Sequence, residues 1–145
     1  MNLLGTLEQA IALAAKAHEG QIDKAGAPYI LHPLRVMLAV QGAEERIVAV
    51  LHDVVEDCDV TPAALKALGF SDSVLAALDA VTKREGEDYG AFVARALENP
   101  VGRAVKRADI LDNLDLSRIA SPTSRDMARI EKYRQAMMVL DGKSA

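Results

Sequence analysis

The segment from Ile47 to Asp57 constrains the fold more than any other part of this sequence. Residues 47–55, which follow Glu44 and Glu45, are apolar on every side except at His52 and Asp53. A helix that is apolar all round is typical of a buried central position. A buried histidine and carboxylate lose their hydration and need a compensating partner. The segment therefore predicts a central helix whose polar side chains meet another charged group inside the fold.

The composition agrees with a core made of packed helices. Half of the residues are hydrophobic, yet only 3% are aromatic and none is Trp, so Leu, Ala, Val and Ile must fill the core. Such a composition favours helices over a sheet. A length of 145 residues is typical of a single domain, and we expect one all-α domain over residues 1–145.

Apolar spacing and capping residues predict eight helices along the chain. They run from Leu7, after the N-cap Thr6, to near Gly20; from Pro33 to about Val40; from Ile47 to Val55; from the Thr61-Pro62 pair to Leu68; from Ser71 or Asp72 to about Val81; from Asp88 to Leu97; from Val101 to Leu116; and from Thr123 to Leu140. Between the first two, Gly26, Pro28 and Pro33 predict a structured loop over residues 21–33 that carries Lys24, Tyr29 and His32.

Charge and cysteine content exclude several classes of function. Seventeen Lys and Arg oppose twenty-one Asp and Glu in an interspersed pattern with a net charge of −4, which gives no support for a nucleic-acid or membrane-surface role. Cys58 is the only cysteine, which excludes an internal disulfide and suits a reducing compartment. No apolar run approaches the roughly 20 residues that span a bilayer. We expect a cytoplasmic protein that binds any anionic ligand through local positive charge.

The His52-Asp53 pair has two interpretations. An isolated pair of this kind is more often part of a satisfied core, in which the imidazole hydrogen-bonds the carboxylate or a backbone carbonyl. Two other segments favour a metal site: the loop that carries His32, and a stripe of Lys106, Asp109 and Asn113 at i, i+3 and i+7. Mixed histidine and carboxylate ligands suit Mn, Fe, Zn or Co with positions open for water or substrate.

These residues resemble a known family, the HD-domain hydrolases of the RelA/SpoT type, and within it the stand-alone small alarmone hydrolases. Three segments carry the resemblance in the same order: residues 17–21 with 24–33, residues 51–57, and residues 106–109 with Asn113. The resemblance spans most of the chain. It implies a helical bundle of about seven to nine helices and one Mn²⁺ ion, or another divalent transition metal, bound by His32, His52, Asp53 and Asp109.

The resemblance also implies a reaction, the hydrolytic removal of the 3′-diphosphate from ppGpp or pppGpp with release of pyrophosphate. Glu56 and Asp57 would orient and deprotonate the attacking water. Lys24 and Asn113 would bind the nucleotide, and Tyr133 would contact it near the base or sugar. No Gly-rich phosphate loop, synthetase region or regulatory domain is expected within 145 residues, so we expect hydrolysis alone.

Arg84 and Tyr89, near the loop at Gly86, are further candidates for binding phosphate and for stacking on the substrate, with an ordinary solvated surface loop as the alternative. Without the family resemblance, Tyr133 would be assigned as a core tyrosine with its hydroxyl at the rim. His18, at the end of the first helix, is expected to hydrogen-bond the following loop rather than a metal.

Three positions depart from the family pattern and leave the substrate open. Asp23 stands where many members carry a basic residue, and Ile110 and Asp112 replace a basic residue and a histidine or tyrosine. They reduce the positive charge expected near the phosphates. The adenosine analogue ppApp is therefore a rival substrate. Two alternatives remain: the enzyme acts on another nucleotide phosphate ester, or the protein binds a nucleotide without catalysis.

Overall fold

The computed structural model describes residues 4–142. Within them the chain forms nine helical segments and no strand, and an isolated antiparallel bridge between Ile22 and Pro28 closes the loop after the first helix. The segments are α1 (Leu7–Ala17), α2 (Leu31–Ala39), α3 (Ala43–Leu51), α4 (Val54–Asp57, a single turn), α5 (Pro62–Ala67), α6 (Asp72–Ala80), α7 (Tyr89–Leu97), α8 (Pro100–Asn113) and α9 (Ser124–Leu140). The predicted all-α bundle of seven to nine helices is confirmed.

Most helices begin where a capping side chain accepts a hydrogen bond from the backbone of the first turn, which is the interaction that favours Ser, Thr, Asp and Asn there. The N-cap residues are Thr6, Thr61, Ser71, Asp88, Asn99 and Thr123. Thr123 and Asp126 form a reciprocal capping box at the start of α9. The predicted starts of α1, α5, α6 and α9 are confirmed on this basis.

The expectation that His32 lies on a loop is wrong. Helix α2 begins at Leu31, so His32 belongs to its first turn and Pro33 follows inside that turn. A proline is tolerated there because the first backbone N–H groups of a helix have no intrahelical acceptor. His32 is therefore held by a helix rather than by the predicted structured loop.

The predicted continuous helix from Ile47 to Val55 is also wrong. Helix α3 ends at Leu51, and the chain turns through His52 and Asp53, with φ −98° and ψ −6° at Asp53, before α4 begins. Val48, Ala49, Val50, Leu51 and Val54 are fully buried, so the central position expected for this segment is confirmed. The turn lets two consecutive side chains point toward one region.

Helix α8 ends at Asn113, three residues before the predicted Leu116. The carboxylate of Asp115 accepts a hydrogen bond from the backbone of Ser117 at 2.9 Å, a local turn that competes with further helix. This helix lies between two apolar clusters. Val105 and Ala108 belong to the larger cluster with α1, α2, α3, α5 and α6, whereas Ile110 packs with Val93, Ala136 and Leu140 of α7 and α9.

None of the helices described for residues 4–142 combines the length and the hydropathy of a membrane-spanning segment.

Candidate metal centre

Three side chains from three different helices meet at one buried point. His32 comes from α2, His52 from the end of α3, and Asp109 from α8, and one donor atom of each lies within 4.8 Å of the others. His32 Nε2 is 2.9 Å and His52 Nε2 is 3.3 Å from Asp109 Oδ1. All three residues are buried. The packing of α2 and α3 against α8 therefore builds a compact donor cluster.

The orientation of the His52 ring is fixed by its own helix. His52 Nδ1 lies 2.5 Å from the carbonyl oxygen of Ala49, which can only accept, so Nδ1 carries the proton. This is one of the core hydrogen bonds considered from the sequence. It leaves Nε2 facing Asp53 Oδ2 at 3.1 Å and Asp109 Oδ1 at 3.3 Å, without a hydrogen-bond partner of acceptable geometry among residues 4–142. Burial lowers the pKa of His52, but the charges of Asp53 and Asp109 raise it well above its usual value, so Nε2 lies where positive charge is favoured.

Asp53 lies on the side of the cluster next to the loop before α2. Its Oδ2 atom accepts a hydrogen bond from the Tyr29 hydroxyl and is 3.9 Å from His32 Nε2. Burial and the charge of Asp53 raise the pKa of Tyr29, so the hydroxyl remains a donor. Tyr29 in turn packs against His18, whose Nδ1 hydrogen-bonds Gln21 Oε1 at 2.8 Å. The expectation that His18 binds the loop is confirmed.

Both buried aspartates of the cluster are held ionised by their neighbours. Burial would raise the pKa of Asp109, but Lys106 and His52 hold it well below its usual range. Burial likewise opposes ionisation of Asp53, and the charge of His52 lowers its pKa. Lys106 Nζ lies 3.2 Å from Asp109 Oδ2, and Asn113 Nδ2 donates to Asp109 Oδ1 at 3.2 Å. The stripe predicted on α8 therefore faces the cluster rather than solvent.

A cleft of about 640 Å³ opens over this cluster, within the range of small-molecule sites. Its walls come from helices α2, α4, α7, α8 and α9, from Asp53 before α4, and from the loops that precede α2, precede α7 and follow α8. Eight of the residues predicted for the site line it: His32, Asp53, Asp109, Glu56, Lys24, Tyr89, Asn113 and Tyr133. Metal-ligand, water-activating and substrate-binding candidates thus share one cavity.

The two candidate bases differ in position. Glu56 lines the cleft, whereas Asp57 does not. Burial, followed by the charges of Asp53 and Asp57, raises the pKa of Glu56 above that of an ordinary glutamate. Burial and the charge of Asp53 also raise the pKa of Asp57. A carboxylate with a raised pKa accepts a proton more readily, which suits Glu56 for general-base chemistry.

Arg84 is the one substrate-binding candidate that the structure does not bring to the cleft. Its guanidinium lies 3.1 Å from Asp79 Oδ2 and is largely exposed, and the neighbouring Lys83 lines the cleft instead. Tyr89 and Tyr133 pack edge to face with ring centres 6.3 Å apart. The Tyr89 hydroxyl is buried without a hydrogen-bond partner among residues 4–142.

Two of the cleft cations that were not sequence candidates lie on α9. Arg129 and Lys132 precede Tyr133 by four residues and by one, and all three line the cleft from α9. Lys132 Nζ lies 4.5 Å from the centre of the Tyr89 ring. The i, i+3, i+4 spacing, which places side chains on one helical face, is the signal that would have identified them once Tyr133 was a candidate.

Comparison with known proteins decides the family. A sequence model of the HD domain matches residues 10–141. The chain belongs to the HD domain family. The resemblance drawn from its three segments is therefore confirmed.

Curated relatives of this HD domain carry names from alarmone metabolism. A guanosine-3′,5′-bis(diphosphate) 3′-pyrophosphohydrolase of Vibrio cholerae is 45% identical over 83 residues, which are 53% of this chain and 11% of that protein. The protein of the same name from Aquifex aeolicus is 32% identical over 74% of this chain and 17% of its own length. A probable GTP pyrophosphokinase of Mycobacterium leprae is 33% identical over 94% of this chain and 18% of its own length. The chain spans less than a fifth of each of these relatives.

A solved structure shares the fold. It comes from work describing a metazoan ortholog of SpoT that hydrolyzes ppGpp, and it superposes with a TM-score of 0.76 at 24% sequence identity. The match covers 96% of this chain and 87% of that one. The helical arrangement described above is therefore the fold of that protein.

Membership of the HD domain family implies a divalent metal ion, and the residues present fit one. The His52 Nε2 atom is buried without a hydrogen-bond partner within residues 4–142, and two ionised carboxylates face it. Two imidazoles and two carboxylates would balance the charge of a divalent cation. Such a donor set suits first-row transition metals.

Proposed function

We propose that this HD domain is a metal-dependent pyrophosphohydrolase that removes the 3′-diphosphate from an alarmone nucleotide, ppGpp, pppGpp or ppApp. His32, His52, Asp53 and Asp109 would hold the metal, with Mn²⁺ as the proposed ion. One observation carries the proposal: His32, Asp53 and Asp109 line the same cleft as the carboxylate of Glu56 and several lysines that form no ion pair within residues 4–142. Cytoplasmic location and a single domain remain predictions.

The reaction requires a water molecule to attack the phosphorus attached to the ribose 3′-oxygen. The bond between that phosphorus and the 3′-oxygen breaks, which releases pyrophosphate and leaves a 3′-hydroxyl on the nucleotide. A divalent cation at such a site supplies Lewis-acid activation of phosphoryl oxygens and water. Glu56 would accept the proton of the attacking water, because it lines the cleft and has a raised pKa. Asp57, at the adjacent position, would make Glu56 a stronger base, because its negative charge raises the pKa of Glu56.

The cleft offers positive charge that no ion pair of residues 4–142 neutralises. Within residues 4–142, the cleft residues Lys24, Lys83 and Lys132 have no ion-pair partner, whereas Arg35, Lys106, Arg118 and Arg129 each pair with an aspartate. Burial and the nearby charges of Lys106, Arg129 and Lys83 lower the pKa of Lys132. An anionic ligand would relieve this repulsion. Lys24 and Lys132 would therefore contact phosphate groups together with Lys83.

The three departures from the family pattern have structural roles that leave these lysines unneutralised. Asp23 Oδ1 accepts hydrogen bonds from the backbone of Ala25 and Ala27, both at 2.9 Å, and shapes the loop. Ile110 is fully buried in the core. Asp112 pairs with Arg35 at 2.8 Å. None of them forms an ion pair with Lys24, Lys83 or Lys132 within residues 4–142. This supports a polyphosphate substrate.

A comparative turnover assay tests the proposal. The purified protein is incubated with Mn²⁺ and, separately, ppGpp, ppApp and a panel of nucleoside monophosphates, and pyrophosphate and orthophosphate are measured. We expect metal-dependent pyrophosphate release from at least one alarmone, with Asp109→Asn inactive and the remote Asp141→Asn unaffected. Release of orthophosphate from a monophosphate at a higher rate would establish the alternative of another nucleotide ester. Nucleotide binding with no product would establish a binding module without catalysis.

A further inference from the structure

Asp112 lies directly behind His32, outside the donor cluster. It lies on α8 one turn after Asp109, and its Oδ2 atom is 2.6 Å from His32 Nδ1. Arg35 lies on α2 one turn after His32 and pairs with both carboxylate oxygens of Asp112, at 2.8 and 3.1 Å. The Arg35–Asp112 pair therefore joins α2 to α8 directly beyond the contact between His32 and Asp109.

The carboxylate of Asp112 determines which nitrogen of His32 carries the proton. An ionised carboxylate can only accept hydrogen bonds, and this one accepts from two N–H groups of Arg35, so His32 Nδ1 must be the donor to Asp112 Oδ2. With Nδ1 facing Asp112, the other nitrogen, Nε2, faces Asp109 Oδ1 at 2.9 Å. Nε2 is therefore the nitrogen of His32 that would bind a divalent cation in the cluster. His52 has the same arrangement, except that the acceptor for its Nδ1 is the backbone carbonyl of Ala49.

Asp112 is itself held in place from two sides. Besides Arg35, Arg118 Nη2 lies 3.5 Å from Asp112 Oδ2 and donates to the Asp112 carbonyl oxygen at 2.9 Å. The Asp112 side chain is 12% exposed. Bidentate pairing with arginine fixes the plane of a carboxylate. The orientation of the acceptor for His32 is thus fixed by two arginines.

We propose that Asp112, oriented by Arg35, is a positioning residue that keeps His32 in the tautomer whose Nε2 atom binds the divalent metal. The inference rests on the metal site of the proposed function and adds a residue outside the four proposed ligands. A hydrogen bond from the far nitrogen of a metal-bound histidine fixes the ring and strengthens its donor atom, and loss of such a partner lowers metal affinity about 10- to 100-fold.

Mn²⁺ affinity measured by calorimetry is the first test. We expect Asp112→Ala to weaken Mn²⁺ binding about 10- to 100-fold, and Asp112→Asn, which keeps an oxygen acceptor, to weaken it less. Asp141→Ala is the matched control. It also removes a carboxylate that pairs with a residue of α8, because Asp141 lies 3.0 Å from Arg107, but it does so away from the cluster. Circular dichroism shows whether each variant folds. If Asp112→Ala does not fold, the Mn²⁺ affinity of Asp112→Asn is compared with that of the unmodified protein instead.

Nitrogen NMR of the Zn²⁺-loaded protein is the second test, because the chain has only three histidines to assign. In the unmodified protein His32 should show a protonated Nδ1 and a metal-bound Nε2, and Asp112→Ala should populate the other tautomer. Unchanged Mn²⁺ affinity with an unchanged tautomer in Asp112→Ala would overturn the inference alone. An unmodified protein that binds Mn²⁺ through these residues but hydrolyses no nucleotide would overturn the proposed function and leave the inference standing.

Discussion

At the residue scale, the adjacent carboxylates of Glu56 and Asp57 have different surroundings. Glu56 lines the cleft beside Asp53, and its pKa is raised chiefly by burial. Burial and the charge of Asp53 raise the pKa of Asp57, and the charges of His18 and His52 partly offset that rise. We therefore assign proton transfer to Glu56 and a supporting electrostatic role to Asp57.

Replacement of Glu56 by Gln should lower kcat by about 100-fold or more, since a positioned general base contributes roughly 10²- to 10⁴-fold. Asp57→Asn should cost less because its side chain does not line the cleft. Steady-state pyrophosphate release measures both, and calorimetry should give Mn²⁺ affinities close to that of the unmodified protein. An Asp57→Asn variant more impaired than Glu56→Gln would reverse the assignment.

Sequence patterns identified the central residues of the site because their chemistry is unusual for their position. His52 and Asp53 stand out in an apolar segment, and Asp109 follows from the polar stripe on α8. Asp112 was noted only as a lost positive charge. Its contact with His32, eighty residues away in the chain, depends on the packing of α2 against α8, and no local pattern records it.

At the scale of elements, α8 organises the molecule. It supplies Asp109, Asp112 and Asn113 to the cleft on one side and packs Val105 and Ile110 into the two apolar clusters on the other. The burial of these apolar residues fixes the rotation of the helix about its axis. The positions of the polar side chains in the cleft therefore follow from core packing.

Helix α9 offers a test of capping and its dependence on pH. Asp126 accepts from the backbone of Thr123 and pairs with Arg129 at 3.0 Å, and the Thr123 backbone hydrogen bond is the leading cause of the lowered pKa of Asp126. A group with a lowered pKa in the folded state stabilises the protein above its unfolded pKa, and this stability is lost as the pH falls through the folded value.

Asp126→Asn should therefore lower the free energy of unfolding at pH 7. The difference in free energy of unfolding between this variant and the unmodified protein should become smaller as the pH falls below 3.8, the ordinary pKa of an aspartate. Urea unfolding of both proteins between pH 7 and pH 3 measures the difference. A difference that stayed constant through this range would exclude a role for the ionised carboxylate.

The starts of α1, α5, α6 and α9 were predictable because each N-cap acts on backbone groups within three residues, as Thr6 does on Gln9 and Thr123 on Asp126. The turn at His52 was not. It places His52 and Asp53 against Tyr29 and Asp109, which come from distant parts of the chain. A periodic apolar segment gives no indication of where such tertiary contacts will interrupt it.

At the scale of the whole molecule, the proposed metal would link α2, the turn between α3 and α4, and α8. These elements are far apart in the sequence, and ionised Asp53 and Asp109 lie buried where they meet. A cation that binds only the folded state stabilises it in proportion to the logarithm of its concentration over Kd.

Metal removal should therefore lower stability. At Mn²⁺ concentrations near 100 times Kd, binding adds about 2.7 kcal/mol, which corresponds to a rise in Tm of roughly 5 to 10 °C for a chain of this size. Thermal unfolding with Mn²⁺ and after chelation measures the shift. Asp109→Asn, which keeps the size of the side chain, should show little shift, and a full shift in that variant would place the metal elsewhere.

The site as a whole predicts where the oxygen of the attacking water goes. When ppGpp is hydrolysed in ¹⁸O-labelled water with Mn²⁺ and the products are analysed by mass spectrometry, attack at the phosphorus next to the 3′-oxygen places one label in pyrophosphate and none in the nucleotide. We expect this result, and we expect it to disappear with chelation and with Glu56→Gln. Labelled orthophosphate without pyrophosphate, or no product from either ppGpp or ppApp, would contradict the proposed function.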